Sequence, residues 1–181
     1  MATPDHLSDD ERLAASLWGS PAHRARDILR EHWNGSIPVD PGKIAESLGV
    51  RVVPVGTLLT PAEYSGYFKR SDPELGGPVI RYNRNDPLVR KRFTVAHEIG
   101  HFVLGHNDAP RDTPENFSAS TTDSRERSAN QFAAELLMPE NAVRQAAMGG
   151  RFSSVEELAD VFKVSGLAMS FRLTNLKLSV W

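Results

Sequence analysis

The amino-acid sequence predicts an α+β protein that is rich in helices and contains a small sheet of about three strands. Several segments join a helix-capping residue to a proline and then space apolar side chains as a helix does. Two shorter apolar segments flank a stretch rich in Pro, Gly and Asp, which is typical of a hairpin. We predict one domain over residues 1–181, with a core at about 37–148 and C-terminal helices at about 153–181.

The first half of the chain contains the capped helices and the strands. A capping box at Ser8 opens a helix over 8–18. Ser20-Pro21 starts a helix to about residue 33, and Asp40-Pro41 starts one that ends near residue 49. The next segment, 51–55, is predicted to be a strand in which Pro54 indicates a sheet edge or a strand end. Residues 64–70 and 78–82 then form the hairpin.

The second half is helical. Asp86-Pro87 caps a long helix over 88–106, on which Phe93, Ala96 and Ile99 are expected to face the core. The basic run Arg90-Lys91-Arg92 at the start of this helix is expected to form a solvated face. A polar loop follows at 107–122 and a helix at 123–138, which Pro139 ends. Shorter helices are predicted up to residue 148, then over 155–162 and 166–176.

Composition excludes several classes of protein. The formal net charge of −2 gives no overall basic field for nucleic acid. There are no cysteines, so any metal ion must be bound by His, Asp or Glu. The N-terminus lacks the pattern of a signal peptide, and no apolar run approaches the ~20 residues that cross a bilayer. We therefore expect a cytoplasmic protein without a membrane partner.

Residues 97–101 form the sequence His-Glu-Ile-Gly-His within the long predicted helix. Side chains four residues apart lie on one helix face with Cβ atoms about 5–6 Å apart, so His97 and His101 can bind one metal ion. Glu98 lies about 100° further around the helix, where it can reach a water on the metal rather than the ion. The pattern predicts a zinc site with Glu98 as general base, although these donors also accept Mn²⁺ or Fe²⁺.

A catalytic site of this kind needs a third protein ligand. Metalloproteases with three histidine ligands extend this motif with a glycine at position 104 and a histidine at position 107. Leu104 and Asn107 stand there in this chain, so that class is excluded. Glu126 shares a face of the next predicted helix with small alanines that allow close packing, whereas Glu135 points away from that face. Glu126 also ends a capping-box pattern that begins at Asp123, so the spacing leaves both roles open.

Three other polar residues are candidates for supporting roles. Asn130 lies one helical turn after Glu126 and could hydrogen-bond a metal ligand, or it could be a buried amide. His106 could donate to an oxyanion, support a ligand, or cap the helix end. Tyr64, near the strands, could stabilise a tetrahedral intermediate, with packing as the default role of a tyrosine there.

Two stretches of the chain resemble the ImmA/IrrE metallopeptidases. Residues 93–101 (FTVAHEIGH) and 126–139 (ERSANQFAAELLMP) match the family closely and in its order. The resemblance extends with lower specificity to 44–55, 66–83 and 164–176. In this gluzincin-like family a glutamate three residues before the Ala-Asn pair is the third zinc ligand, which implies that role for Glu126.

The resemblance also implies a substrate. Members of the family typically cut one intracellular protein, a helix-turn-helix repressor of the Xre type, and so release a stress or mobile-element transcription programme. The alternative is a non-catalytic zinc-binding regulator that binds a repressor or a toxin–antitoxin partner without cutting it.

The predicted C-terminal helices also resemble a helix-turn-helix. However, Lys163 stands where glycine is usual, and only Arg172 and Lys177 could contact phosphates. We therefore expect packing helices or a surface that docks the substrate there, and no direct binding of nucleic acid.

Overall fold

The computed structural model describes residues 19–56, 65–106, 124–150 and 152–178. In these ranges the chain forms seven helices and one three-stranded sheet, which confirms the predicted α+β class. None of the described helices is long and apolar enough to cross a membrane. The predicted helix 8–18 and loop 107–122 lie outside the described residues. In chain order the elements are α1 (Pro21–His32), α2 (Pro41–Ser47), β1 (Arg51–Val55), β2 (Gly66–Lys69), β3 (Val79–Asn83), α3 (Leu88–Val103), α4 (Ser124–Leu137), α5 (Glu140–Met148), α6 (Val155–Phe162) and α7 (Gly166–Asn175).

The strands lie in the order β1-β3-β2. β3 pairs with β2 in antiparallel fashion, which confirms the predicted hairpin, and with β1 in parallel. Pro54 lies in β1, an edge strand, where its missing N–H group costs no ladder hydrogen bond on the outer side. The central strand β3 is the most buried of the three, with Val79 and Ile80 at 1% and 0% exposure. The helix α3 packs on β2 and β3, so the sheet supports the His-Glu-Ile-Gly-His helix.

The first two helices begin where their caps predict. Ser20 Oγ accepts a hydrogen bond from the N–H of His23 (3.2 Å), and α1 starts at the next residue, a proline. Asp40 Oδ1 accepts from the N–H groups of Gly42 (3.0 Å) and Lys43 (3.3 Å) at the start of α2. Local chemistry alone therefore determines these two starts.

The bounds of α3 differ from the prediction at both ends. The predicted cap by Asp86 is wrong, because Pro87 is the N-cap residue and α3 has no side-chain cap hydrogen bond. The Asp86 carboxylate lies instead 3.8 Å from Arg90 Nε, in the first turn of the helix. The helix ends at Val103, earlier than predicted, because Gly105 adopts a left-handed backbone with φ +72°.

Two glycines allow neighbouring elements to lie close to α3. A Cβ atom on Gly66 would lie 2.5 Å from Thr94 Cγ2 and 2.6 Å from the carbonyl oxygen of Arg81, so only glycine fits at this point of β2. A Cβ atom on Gly100 would lie 3.1 Å from the Cα of Ala129 in α4. The helix is therefore held tightly between the sheet and α4.

Arg92 fastens the turn between α6 and α7 to α3. Its guanidinium donates to the carbonyl oxygens of Val39 (2.7 Å) and Lys163 (3.1 Å). Lys163 ends α6 in a left-handed conformation, φ 54°, where glycine is the usual residue. The expectation of a solvated basic face is wrong for Arg92, because its guanidinium donates hydrogen bonds to backbone carbonyls before α2 and at the end of α6.

A buried ion pair fastens α7 to α4. The carboxylate of Glu135, which is 1% exposed, accepts a hydrogen bond from Arg172 Nη2. Arg172 Nε also donates to the carbonyl oxygen of Met138 (3.0 Å), and Arg26 Nη1 lies 3.7 Å from the same carboxylate. Glu135 accepts from the N–H of Glu140 (3.1 Å) and so caps α5. Because Arg172 is bound here, one of the two cations on which a DNA-binding interpretation depended is engaged within the fold.

We expect Gly66→Ala to lower the free energy of unfolding by about 1–3 kcal/mol, because the added methyl group would overlap Thr94 and a backbone carbonyl. Gly166→Ala is the control, since a Cβ atom there meets only Glu156 Oε1 at 3.6 Å and should not lower stability. Urea unfolding of both variants measures the difference. Equal stabilities would contradict the close packing of β2 on α3.

We expect Arg172→Ala to lower the free energy of unfolding by about 3–5 kcal/mol, because it leaves the Glu135 carboxylate buried without its main partner. The control is Arg30→Ala, which breaks an ion pair with Asp27 at the surface, where the Arg30 side chain is 70% exposed. It should lower the free energy of unfolding by less than about 1 kcal/mol. Denaturant unfolding of the two variants tests the ranking, and a similar small loss in both would show that the Glu135 pair does not stabilise the fold.

Candidate metal centre

His97 and His101 lie one turn apart on one face of α3. Their Nε2 atoms are 2.9 Å apart, and their ring centroids are 4.7 Å apart. His97 is buried at 4% exposure, and the His101 side chain is 14% exposed. The i, i+4 spacing of the sequence thus directs both Nε2 atoms to one point, as helical geometry requires.

Glu126, in the first turn of α4, brings a carboxylate to the same point. Its Oε2 lies 3.1 Å from His97 Nε2, and its Oε1 lies 3.2 Å from His101 Nε2. Hydrogen bonds from His101 and from His97 outweigh the partial burial of this carboxyl and hold the pKa of Glu126 well below its ordinary value. One potential ligand atom from each of the three side chains lies within 4.8 Å of the other two.

Small side chains bring the two helices close enough for this contact. Gly100 meets the backbone of Ala129, and a Cβ atom on Gly100 would also lie 3.3 Å from Phe132 Cβ. Ala129 and Ala133 are fully buried, and they follow Glu126 at helical spacing. The competing capping-box role of Glu126 depends on Asp123, which lies outside the described residues.

The outer ring nitrogen of each histidine also has a partner. His97 Nδ1 lies 2.9 Å from Asn130 Oδ1, one turn after Glu126 on α4. His101 Nδ1 lies 3.0 Å from His106 Nδ1, just beyond the end of α3. A histidine that donates from Nδ1 keeps the Nε2 lone pair for a metal ion, so both contacts are compatible with the tautomer that a ligand needs.

Glu98 is buried at 3% exposure beside His97. Within the described ranges, the group that could hold an ion consists of the two histidines and Glu126, without Glu98. The structure therefore brings His97, His101, Glu126, Asn130 and His106 together, and Tyr64 lies outside the residues that it describes.

Phe93 is a further residue beside this site, and its place there was not predicted. The prediction that it faces the core is wrong, because Phe93 is 39% exposed and its ring centroid lies 6.0 Å from that of His97. The available signal was its position, four residues before His97 and on the same helix face. Ala96 and Ile99 are fully buried, as predicted.

The donor set fits a divalent metal ion. Two imidazole nitrogens and one carboxylate oxygen are a common set for catalytic zinc, which binds three protein ligands and keeps a fourth position open. Within the described part of the chain, this group consists of the two histidines and Glu126. The same donors also accept Mn²⁺ and Fe²⁺.

The sequence and the fold are similar to those of known proteins. The curated Metallopeptidase ImmA of Bacillus subtilis (strain 168) is 28% identical over 92 residues, which are 51% of this chain and 54% of that protein. A solved structure titled Mycobacterium tuberculosis transcriptional regulator superposes with a TM-score of 0.58 at 19% identity, over 85% of this chain and 46% of that one. The chain thus spans about half the length of each relative.

The sequence pattern of a peptidase family described as the IrrE N-terminal-like domain matches residues 45–174. The match begins in α2 and ends in α7, so it includes the sheet, both helices of the candidate metal centre and the C-terminal helices. The chain belongs to this family, the ImmA/IrrE metallopeptidases.

Proposed function

We propose that the chain is a zinc-dependent endopeptidase in which His97, His101 and Glu126 bind the metal ion. The observation that carries this proposal is the convergence of their three ligand atoms within 4.8 Å, from two helices that pack closely. Membership of a metallopeptidase family supports it, and so does the similarity to a bacterial metallopeptidase.

When bound, zinc would act as a Lewis acid that polarises the peptide carbonyl and lowers the pKa of a water molecule to about 7. Glu98 would accept the proton that the attacking water loses and then donate it to the leaving amine. Its burial beside His97 supports this role, because a carboxylate shielded from solvent retains the proton between the two transfers. Tyr64 remains a predicted donor to the oxyanion.

The proposed substrate is one intracellular protein, a helix-turn-helix repressor, cut in the cytoplasm to release a transcription programme. The name of the fold relative, a transcriptional regulator, is compatible with a regulatory role. The C-terminal helices support a protein partner rather than DNA, because Arg172, one of the two cations expected to contact phosphates, is bonded within the fold.

We expect Glu98→Gln to abolish cleavage while zinc binding is retained, because an amide cannot accept the proton and the residue is not a ligand. The loss should be at least about 10²-fold to 10⁴-fold, which is the usual contribution of a general base. Purified protein and zinc are incubated with the helix-turn-helix repressor encoded nearest to the gene, and products are separated by mass. Glu31→Gln is the control, a change on a side chain that is 69% exposed on α1.

Each outcome of this experiment has a meaning. Cleavage by the Glu98→Gln variant would exclude Glu98 as the base. A wild-type protein that binds both zinc and the repressor but yields no product would indicate the alternative, a regulator that binds without cutting.

We expect Glu126→Ala to weaken zinc binding by more than about 100-fold, because it removes one of three ligands. His97→Ala should have the same effect. The loss of a residue that only hydrogen-bonds a ligand typically weakens metal binding by about 10–100-fold. Competition with a chromophoric chelator measures the affinity. If Glu126 only capped α4, its loss would lower the stability of the metal-free protein by about 1 kcal/mol and leave zinc affinity unchanged.

A further inference from the structure

The partner of His101 is unusual for a metal-binding histidine. Such residues almost always direct the second ring nitrogen to a carboxylate, a backbone carbonyl or water. Here His101 Nδ1 lies 3.0 Å from Nδ1 of another imidazole, His106, and the two rings meet edge to face with centroids 4.9 Å apart.

The backbone at the end of α3 creates this contact. The N–H of His106 donates to the carbonyl oxygen of His101 (3.0 Å), and the N–H of Gly105 donates to that of Phe102 (3.3 Å). With Gly105 at φ +72°, these two bonds form a Schellman motif. In this motif the first and last residues commonly touch through apolar side chains, and here those residues are the two histidines.

The proton between the two rings determines whether His101 can bind a metal ion. Two nitrogens 3.0 Å apart share one proton. If His101 donates from Nδ1, its Nε2 lone pair is available to an ion placed between His97 and Glu126, and the ion would take the place of the proton that Nε2 shares with Glu126 in the metal-free protein. If His106 donates instead, the neutral His101 ring carries its proton on Nε2, where the ion would be. Only the first arrangement allows metal binding.

We propose that His106 is the positioning residue of His101: its Nδ1 accepts the proton of His101 Nδ1 and holds the ring in the metal-binding tautomer and orientation. This inference rests on the proposed function of the cluster as a metal centre. Asn130 has the equivalent position at His97, with its Oδ1 2.9 Å from that Nδ1. The two ligands are thus oriented by different elements, one from α4 and one from the end of their own helix.

A purely structural role for His106 makes a different prediction. The Schellman hydrogen bond uses its backbone N–H, which any residue other than proline supplies. The proposal instead needs an acceptor atom at the position of Nδ1. His106→Asn places a carbonyl oxygen near that position, whereas His106→Phe keeps a ring of similar shape without an acceptor.

The experiment measures zinc affinity by chelator competition in the full chain. His106→Phe should lose about 10–100-fold, and His106→Asn should recover most of that loss. Nitrogen-15 NMR of His101 in the zinc-loaded wild type should show the proton on Nδ1. Thermal unfolding of the metal-free variants shows whether each one is folded.

A second pair of variants keeps both histidines and changes only the backbone. Gly105→Ala strains the left-handed residue of the motif and should weaken zinc binding. Gly49→Ala imposes the same strain at φ +75° after α2, where the added Cβ atom also meets nothing within 4 Å, and should leave zinc affinity unchanged.

The inference is overturned if His106→Phe binds zinc as tightly as the wild type, or if Asn and Phe at residue 106 weaken it equally. Equal effects of the two glycine variants on affinity would also contradict it. A wild-type protein that binds no zinc would instead refute the proposed metal centre itself, so the two failures are distinguishable.

Discussion

The close contact of α3 and α4 at Gly100 and Ala129 is the constraint on which the candidate centre depends. A Cβ atom on Gly100 would already lie 3.1 Å from the Cα of Ala129, so a larger side chain would separate the helices. The short distance between the two helices allows the Glu126 carboxylate on α4 to come within 3.1–3.2 Å of two imidazoles on α3. The geometry of the candidate centre is therefore a result of core packing between α3 and α4.

Charged side chains add to the buried apolar contacts through which the C-terminal helices α6 and α7 join this core. Arg92 reaches from α3 to the end of α6, and Arg172 reaches from α7 to Glu135 on α4. Both helices that carry the candidate ligands, α3 and α4, are thus bonded to the pair formed by α6 and α7. Separating these two helices from the core would break the ion pair of Glu135 with Arg172, which is costly as long as the carboxylate stays buried. The pair of helices α6 and α7 lies in the region that matches the metallopeptidase family, although its sequence pattern resembles a DNA-binding helix-turn-helix.

The sequence was sufficient at several places where the controlling interaction is local, although the local cap signal at Asp86 was wrong. The helix starts at Pro21 and Pro41 depend on a side chain two or three residues away, and the pairing of His97 with His101 depends on one helical turn. It was insufficient where distant segments compete. The spacing could not choose a role for Glu126, which depends on how α4 lies on α3. It also placed Phe93 in the core, because an apolar side chain on the ligand face follows the same helical spacing as one on the core face.

The two histidines therefore differ in how their orientation is encoded. The partner of His101 follows five residues later and is fixed by the end of its own helix, whereas the partner of His97 comes from α4, as does Glu126. Any displacement of α4 would remove a proposed ligand and the support of His97 together, and leave the His101 contact intact. An ion bound by both helices is bound only when they are packed, so by linkage it would stabilise the packed state. Metal binding at the proposed centre and the docking of α4 would consequently be linked, and the small residues at the helix contact would contribute to both.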